Sequence, residues 1–209
     1  NNLNVSSVTN MTHMFSFTSY NNPLNNWEIS NVTSINYMFQ SNDSFNQDIN
    51  DWNTSNITNM SSIFENAISF NKNLNSWNTS NVINLVSPFR NASSFDQDIS
   101  DWNIENVTDL AHTFDNSGLS TNNYDNIIIS WSQQDVNSNM EFGSIGTYYC
   151  LSSSQRQSLI DNSNWIITDD GLDPQCAEID CAFDDTNIQD AVDLWVSDQN
   201  AAEELYGNI

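Results

Sequence analysis

Aspartate carboxylates are the side chains of this chain with the clearest capacity for chemistry. They crowd one short stretch around Pro174, and carboxylate oxygens gathered in a loop are ligands that Ca²⁺ prefers. The stretch lacks the spacing of an EF-hand loop, so a solvated acidic linker is the alternative interpretation. The candidate calcium ligands are Asp169, Asp170, Asp173, Asp180, Asp184 and Asp185. We predict no other cofactor.

Two pairs of carboxylates, Asp48 with Asp51 and Asp98 with Asp101, raise the question of a glycosidase. Such an enzyme uses two carboxyl groups that flank the scissile bond. The equivalent stretch between the two pairs has Asn73 in place of the first aspartate, which breaks the row and favours a solvated acidic face. The chain also lacks the GxSxG, HExxH, P-loop and GxGxxG motifs. We therefore expect no enzymatic activity.

The charge of the chain excludes two classes of partner. With 27 acidic residues against 3 basic ones, the formal net charge at pH 7 is −24. A nucleic acid or an anionic membrane surface needs a basic footprint on the protein, so neither is an expected partner. No apolar run is long enough to span a bilayer, and we expect no direct insertion into a membrane.

The elements that must position these side chains recur every 25 residues. One full period, from Ser44 to Ile68, reads SFNQDINDWNTSNITNMSSIFENAI. A fixed period in this range is typical of a solenoid, in which each unit buries its apolar face against its neighbours. Within the period, Ile49 to Trp52 predicts a short strand, and Asn59 to Ala67 predicts one or two helical turns. The fold class expected is an α/β repeat solenoid with short parallel strands and short helical returns.

Two columns of equivalent residues are expected to hold the repeats together. A side-chain amide at each corner can satisfy backbone groups of the next repeat, so the asparagine column predicts an internal ladder, with an exposed ligand row as the alternative. The tryptophan column is predicted to fill the core, with a sugar-stacking platform as the alternative. The columns are Asn31, Asn56, Asn81 and Asn106, and Trp27, Trp52, Trp77 and Trp102.

The repeat sequences FNQDINDWNTSNITNMSSIF and FDQDISDWNIENVTDLAHTF resemble the 25-residue repeat of BspA-like bacterial surface proteins, a relative of leucine-rich repeats. The resemblance covers about residues 1–117. It implies a leucine-rich-repeat-like fold and an extracellular protein on the bacterial cell surface that binds other proteins, host matrix or other cells. It brings no catalytic residues with it.

The period stops after Phe114, and the following sequence predicts a small α/β unit. The order GLSTNNYDNIIISW, TYYC, RQSLID and WIITDDG is similar to segments that close such arrays in Bacteroidota surface proteins. Ser120 is the expected N-cap of one helix, a second helix is expected near 154–160, and Trp165 to Thr168 predicts a strand. The domains expected are repeats at 1–117, an α/β capping segment at 118–175, an acidic linker at 176–185 and a capping helix at 186–209.

The chain has 3 cysteines, and in an exported protein a disulfide is the default expectation. We predict a bridge between Cys150 and Cys176, which would contribute on the order of 3 kcal/mol by closing the intervening loop. A bridge between Cys176 and Cys181 is the competing arrangement. With the first pairing, Cys181 is free or pairs across molecules.

The function expected is a non-catalytic adhesion or structural module. The tail Gly207-Asn208-Ile209, joined to the head Asn1-Asn2-Leu3, continues the repeat register. The chain is therefore expected to be one period of a tandem-domain fibre or adhesin, with an arbitrary fragment boundary as the alternative. Its expected partners are neighbouring copies of the same domain and an extracellular protein or glycan.

The alternative function is a carbohydrate-binding or ice-binding module that uses repeated Asn, Thr and Asp rows. Thr33, Thr58 and Thr108 keep the register of such a row, but Ile83 interrupts it. The interruption counts against a flat ice-binding face.

A calcium cage in the acidic stretch has a measurable consequence. Ca²⁺ should make the region 169–185 resistant to limited proteolysis, and a chelator should remove that resistance, because a bound ion orders the loop that supplies its ligands. Cleavage at the same rate with Ca²⁺ and with chelator would show that the stretch is a solvated linker.

Overall fold

The computed structural model describes residues 3–177 and divides the chain into two compact units, Asn1–Gly171 and Leu172–Ile209. The regular elements are α1 (Thr121–Trp131), β1 (Glu141–Ser144), α2 (Ser153–Ser163), β2 (Ile166–Asp169) and α3 (Pro174–Ala177). The strands β1 and β2 form a two-stranded parallel sheet in which Glu141 lies opposite Ile166. All of these elements follow residue 117.

The expected α/β repeat solenoid is wrong. Within residues 3–177 the regular structure amounts to three short helices and one two-stranded sheet, and residues 3–117 consist of turns, loops and isolated bridges. The predicted strand at Ile49 to Trp52 is a turn, and the predicted helical return at Asn59 to Ala67 is a series of turns. The unit Asn1–Gly171 is a domain built mostly of loops.

Backbone conformation explains why the segment after Asn59 is not helical. Ser62 and Asn66 are left-handed, with φ of 53° and 58°, whereas an α-helix needs right-handed residues throughout. Their amides donate to Val86 and Arg90 carbonyls in the next repeat, both at 2.8 Å. These donors are therefore unavailable for bonds four residues back, which a helix requires.

Successive repeats contact one another through backbone hydrogen bonds at equivalent positions. A row of isolated parallel bridges runs through the domain at Asn10, Ser34, Asn59, Asn84 and Asp109. A last bridge joins Leu110 to Phe142 in β1. The sheet of β1 and β2 therefore continues from the last repeat.

Aromatic side chains stack inside the domain along the same direction. Phe39 and Phe64 have ring centroids 5.6 Å apart, and Phe64 and Phe89 are 5.8 Å apart. The indoles of Trp52 and Trp77 stack at 6.3 Å. These separations suit offset stacking, and burial of such large apolar surfaces is the main favourable term available to a domain with little regular structure.

The local predictions for the segment after Phe114 are confirmed. Ser120 caps α1, accepting a hydrogen bond from the Asn123 amide, and the apolar face of α1 is buried. Helix α2 and strand β2 lie where the sequence predicts a helix and a strand, with bounds that differ by a few residues. Gly143 lets β1 approach the last repeat, because a Cβ there would lie 2.6 Å from the His112 nitrogen.

A polar column that the sequence analysis missed joins the repeats and ends at α1. The Oδ1 atoms of Asn21, Asn46 and Asn71 each accept the backbone amide of the next member, at 2.9–3.0 Å. Asp96 closes the column: its Oδ1 accepts the Ser120 amide at 2.9 Å and hydroxyl at 2.7 Å. The Asn123 side chain donates to the same oxygen at 2.8 Å.

The pKa of Asp96 is lowered from its usual value of 3.8. Burial alone raises it, but the hydrogen bonds from Ser120 and Asn123 stabilise the charged form and together outweigh burial. A carboxyl whose pKa is depressed by folding stabilises the protein above its unfolded pKa. That contribution is lost as the pH falls through the folded pKa.

Replacing Asp96 tests this account of the column. Asp96→Ala should lower the free energy of unfolding by about 1 kcal/mol at pH 7, because the start of α1 loses its acceptor. Asp96→Asn keeps the acceptor, so it should retain most of the stability but lose the part that depends on pH below 4. Urea unfolding from pH 7 to pH 3 measures both. Equal pH dependence in wild type and Asp96→Asn would contradict the assignment.

Candidate ligand-binding face

A shallow open groove runs across one exposed face of the repeats. We call its lining the Asn–Thr face, and its residues are Asn56, Thr58, Asn81, Ile83, Asn106 and Thr108. They come from three consecutive repeats, with a pair of residues from each.

The asparagines of this face are held by the backbone of the preceding repeat. The Nδ2 atoms of Asn56 and Asn81 donate to the carbonyls of Ser30 and Ser55, both at 2.7 Å. Asn31 and Asn106 make equivalent bonds to Ser6 and Ser80, at 2.7 and 2.8 Å. All four asparagines are exposed, and not internal as the sequence analysis predicts. Within residues 3–177 their Oδ1 atoms accept no hydrogen bond, so they form a row of acceptors.

The threonines of the face are anchored in a similar way. The hydroxyls of Thr33, Thr58 and Thr108 each donate to a carbonyl of the preceding repeat at 3.2 Å. Ile83 takes the place of a threonine and is 44% exposed. The face therefore presents acceptor oxygens around one apolar side chain, which suits a ligand that carries hydrogen-bond donors beside an apolar patch.

Asn137 extends the asparagine column beyond the repeats, and the sequence analysis missed it because it lies outside the period. Its Nδ2 donates to the carbonyls of Glu105 and Val107, at 3.2 and 2.8 Å. The backbone carbonyl of Asn137 accepts the indole N–H of Trp165 at 2.9 Å. The asparagine column thus continues into the loop before β1.

The tryptophan column lies in the core, where its rings are out of reach of a sugar. Trp27, Trp52, Trp77 and Trp102 are all buried. Three of them donate their indole N–H to a carbonyl of the preceding repeat: Trp52 to Leu24, Trp77 to Ile49 and Trp102 to Leu74. The column therefore joins repeats by hydrogen bonds as well as by stacking.

The predicted disulfide is confirmed: Cys150 and Cys176 are bonded to each other. The competing bridge between Cys176 and Cys181 is excluded, since a cysteine forms one disulfide, and Cys181 lies outside the described residues. A structural disulfide indicates a protein that folds outside the reducing cytoplasm. Among residues 3–177, no helix has the length and apolar character needed to cross a membrane.

The candidate calcium ligands that the structure describes make hydrogen bonds within the protein. Asp170 accepts the Gly146 amide at 3.1 Å, and Asp173 accepts the Gln175 amide at 2.9 Å. Asp180, Asp184 and Asp185 lie outside the described residues. Between residues 3 and 177, no three His, Cys, Asp or Glu side chains are grouped so that they could share a cation. The calcium site stays a prediction.

Asp169, another of these candidates, forms a partly buried ion pair with Arg156. Its Oδ2 and Oδ1 accept hydrogen bonds from Arg156, at 2.7 and 3.0 Å, and the Tyr124 hydroxyl donates at 2.8 Å. Burial and the charge of Asp169 raise the pKa of Tyr124 well above 10.0. Burial lowers the pKa of Arg156, but the bond to Asp169 and its charge raise it more. The carboxylate of Asp169 is therefore committed to Arg156.

The first aspartate of each carboxylate pair considered for catalysis shapes a turn. Asp48 accepts the Asn50 amide at 3.0 Å, and Asp98 accepts the Ser100 amide at 2.9 Å. Asp98 also accepts a hydrogen bond from the Asn126 side chain of α1 at 3.0 Å. These bonds give the aspartates a structural use.

A His–Asp pair beside β1 is a further polar feature that the sequence analysis missed. His112 Nδ1 lies 2.6 Å from Asp115 Oδ2, in a small pocket lined also by Ile145 and Ile166. The other oxygen of Asp115 accepts the Ile145 amide at 3.0 Å. The carboxylate thereby ties the last repeat to the end of β1.

These observations define a repeat-containing domain with an exposed, hydrogen-bonded polar face. The chain belongs to the family described as Mycoplasma protein of unknown function, DUF285, whose model matches residues 1–85 and 48–145. The matches overlap, as the internal repetition of the sequence allows. No curated protein matches the chain, and no solved structure does.

The role given to the asparagine column predicts a difference between two surface asparagines. Asn81→Ala should lower the free energy of unfolding by about 1 kcal/mol, because it removes the bond to the Ser55 carbonyl. Asn25 is also exposed but makes no side-chain hydrogen bond within residues 3–177, so Asn25→Ala is the matched control and should change stability little. Urea unfolding measures both, and equal losses would contradict the ladder.

Proposed function

We propose that the chain is a non-catalytic adhesion and structural module on the surface of a bacterial cell. The observation that carries the proposal is the Asn–Thr face, an open groove whose acceptor oxygens are fixed by bonds to the preceding repeat. Side chains held in this way lose little freedom when a ligand binds, which favours recognition. An extended, regular polar surface suits a macromolecular partner.

Two further observations support an extracellular location. The disulfide between Cys150 and Cys176 is typical of exported proteins. The repeat sequence resembles BspA-like surface proteins, and the family match over most of the repeats is compatible with that resemblance. The net charge of −24 favours partners that are neutral or basic.

Arginine substitutions on the face test the proposal. Thr58→Arg with Thr108→Arg places two long cations in the groove while the asparagine bonds stay intact. Binding of the immobilised chain to an array of purified extracellular-matrix proteins, measured by surface plasmon resonance, should weaken roughly tenfold or more. Asn22→Arg with Asn25→Arg adds the same charge at exposed positions outside the groove and should leave binding unchanged.

Two outcomes would overturn the proposal. One is the absence of saturable binding by the wild-type chain to any matrix protein or glycan. The other is equal binding by wild type and the Thr58→Arg/Thr108→Arg variant. Circular dichroism of both variants establishes that a loss of binding does not reflect unfolding.

The second candidate function is carbohydrate binding, and the acceptor row favours it. Sugar hydroxyls are donors, and Ile83 offers an apolar contact in the middle of the groove. A glycan array separates the two candidates with the same variants. Saturable binding to a glycan, lost in Thr58→Arg/Thr108→Arg and kept in the control, would favour this second function over protein adhesion.

A further inference from the structure

At one edge of the domain, carbonyls of the first repeat and the Trp27 indole N–H have no hydrogen-bond partner within residues 3–177, whereas the equivalent groups of later repeats do. We call it the first-repeat edge, formed by Leu3, residues 9–17 and Trp27. In the second repeat, four alternate carbonyls accept amides from the first, at 2.8–3.2 Å. They belong to Ser34, Asn36, Met38 and Gln40. The third and fourth repeats accept in the same way.

The equivalent carbonyls of the first repeat belong to Asn10, Thr12, Met14 and Ser16. Within residues 3–177, these four accept no hydrogen bond. The edge therefore presents a row of acceptors with the spacing that the next repeats use to bind one another. Such a row is a template for pairing with another segment.

Trp27 supplies a second, independent observation. The indole nitrogens of Trp52, Trp77 and Trp102 donate to carbonyls at 3.0, 3.0 and 3.2 Å. The indole nitrogen of Trp27 is buried, and among residues 3–177 it has no hydrogen-bond partner. A buried donor without an acceptor is costly, and natural proteins rarely leave one unsatisfied.

Apolar side chains at the edge are also uncovered. Met14 is 39% exposed, whereas its equivalents Met38 and Ile63 are fully buried by a neighbouring repeat. Phe17 is 74% exposed and Leu3 is 59% exposed. The edge thus combines unpaired carbonyls with apolar surface, which is the character of an interface and not of a solvated face.

A segment like residues 50–74 has the hydrogen-bond partners that the four unpaired carbonyls and the Trp27 indole N–H lack. The amides of Met60, Ser62, Phe64 and Asn66 donate to carbonyls of the next repeat at 2.8–3.0 Å. Those carbonyls, on Asn84, Val86, Pro88 and Arg90, are the equivalents of the four unpaired ones. The last residue of the segment, Leu74, accepts the indole N–H of Trp102.

We infer that the first-repeat edge binds one further 25-residue repeat of the same kind as residues 50–74. The contact continues an interface that the domain already makes between successive repeats at four bridges. The amides of the added repeat pair with the carbonyls of Asn10, Thr12, Met14 and Ser16. The last carbonyl of the added repeat accepts the indole N–H of Trp27. The inference goes beyond the proposed adhesive role and does not depend on it, because the Asn–Thr face takes no part.

A graft tests the inference in the full chain. Residues 50–74 are fused directly before Asn1, so that the added Leu74 takes the position three residues before Leu3. Hydrogen exchange of the Trp27 indole N–H, assigned by NMR with Trp27→Phe, should slow by about tenfold or more. The Trp52 indole N–H already has its acceptor, so its exchange should stay the same and report that the domain is folded.

The matched control is the same graft carrying Ile57→Asp and Phe64→Asp, which removes the apolar side chains that seat a repeat. It should leave the exchange of the Trp27 indole N–H as in the unmodified chain. A second graft made of residues 25–49, which ends on Ile49, should act like the first.

Three results would overturn the inference. The first is unchanged Trp27 exchange in both intact grafts while Trp52 reports a folded domain. The second is equal protection by the Asp-containing control. The third is association of the unmodified chain that rises with concentration in sedimentation and is abolished by Phe17→Arg, while the grafts do not change the exchange of the Trp27 indole N–H. The first-repeat edge would then bind a second copy of the chain.

Discussion

The domain depends on backbone amides that donate alternately to the next repeat and to their own repeat. Along residues 60–66, every second amide donates to a carbonyl of the next repeat, while the residues between them close turns within their own repeat. Left-handed residues make this alternation possible, and they recur as pairs at Tyr37 and Ser41, Ser62 and Asn66, Ser87 and Asn91, and His112 and Asn116. None of them is glycine, so each carries a conformational cost.

The cross-repeat hydrogen bonds and the buried aromatic stacks offset that cost. The bonds set the distance between repeats, and that distance is one at which equivalent Phe and Trp rings stack. The same spacing lets a side chain such as Asn81 reach the backbone of its neighbour. The polar face and the aromatic core are therefore two results of one backbone arrangement.

The period, the disulfide and the elements of the segment after Phe114 were predictable, because each has a distinct sequence signal. The conformation within a repeat was not. Apolar residues at Met60, Ile63 and Phe64 fit a helical face, but they fit successive three-residue turns equally well. The chain has 5 glycines, and the left-handed positions carry other residues, such as Tyr37 and Ser62. Nothing in the sequence therefore marks where a helix is prevented.

The hydrogen-bonding roles of the asparagines in the candidate site were not predictable from the sequence either. Asparagine serves three separate uses: Asn81 donates from its side chain to a neighbouring repeat, Asn71 accepts there, and Asn53 bonds the Ser55 amide within its own turn. The periodicity shows that each position recurs, but donor and acceptor roles depend on the backbone path. The same uncertainty led to the prediction that the column of Asn81 is internal.

The alternation of amides also gives each repeat two unlike edges. Along the stretch that begins at Met60, one edge offers N–H donors to its neighbour, and the equivalent stretch from Asn84 offers carbonyl acceptors. Outside this stretch the direction is reversed, since the Thr58 amide donates to the preceding repeat. Two copies that met through their acceptor edges would place oxygen against oxygen, and the contact would be repulsive. A symmetric dimer through this edge is therefore disfavoured, and association through it has to be heterologous. The direction of the backbone bonds in this stretch therefore disfavours pairing of the edge with its own symmetric copy.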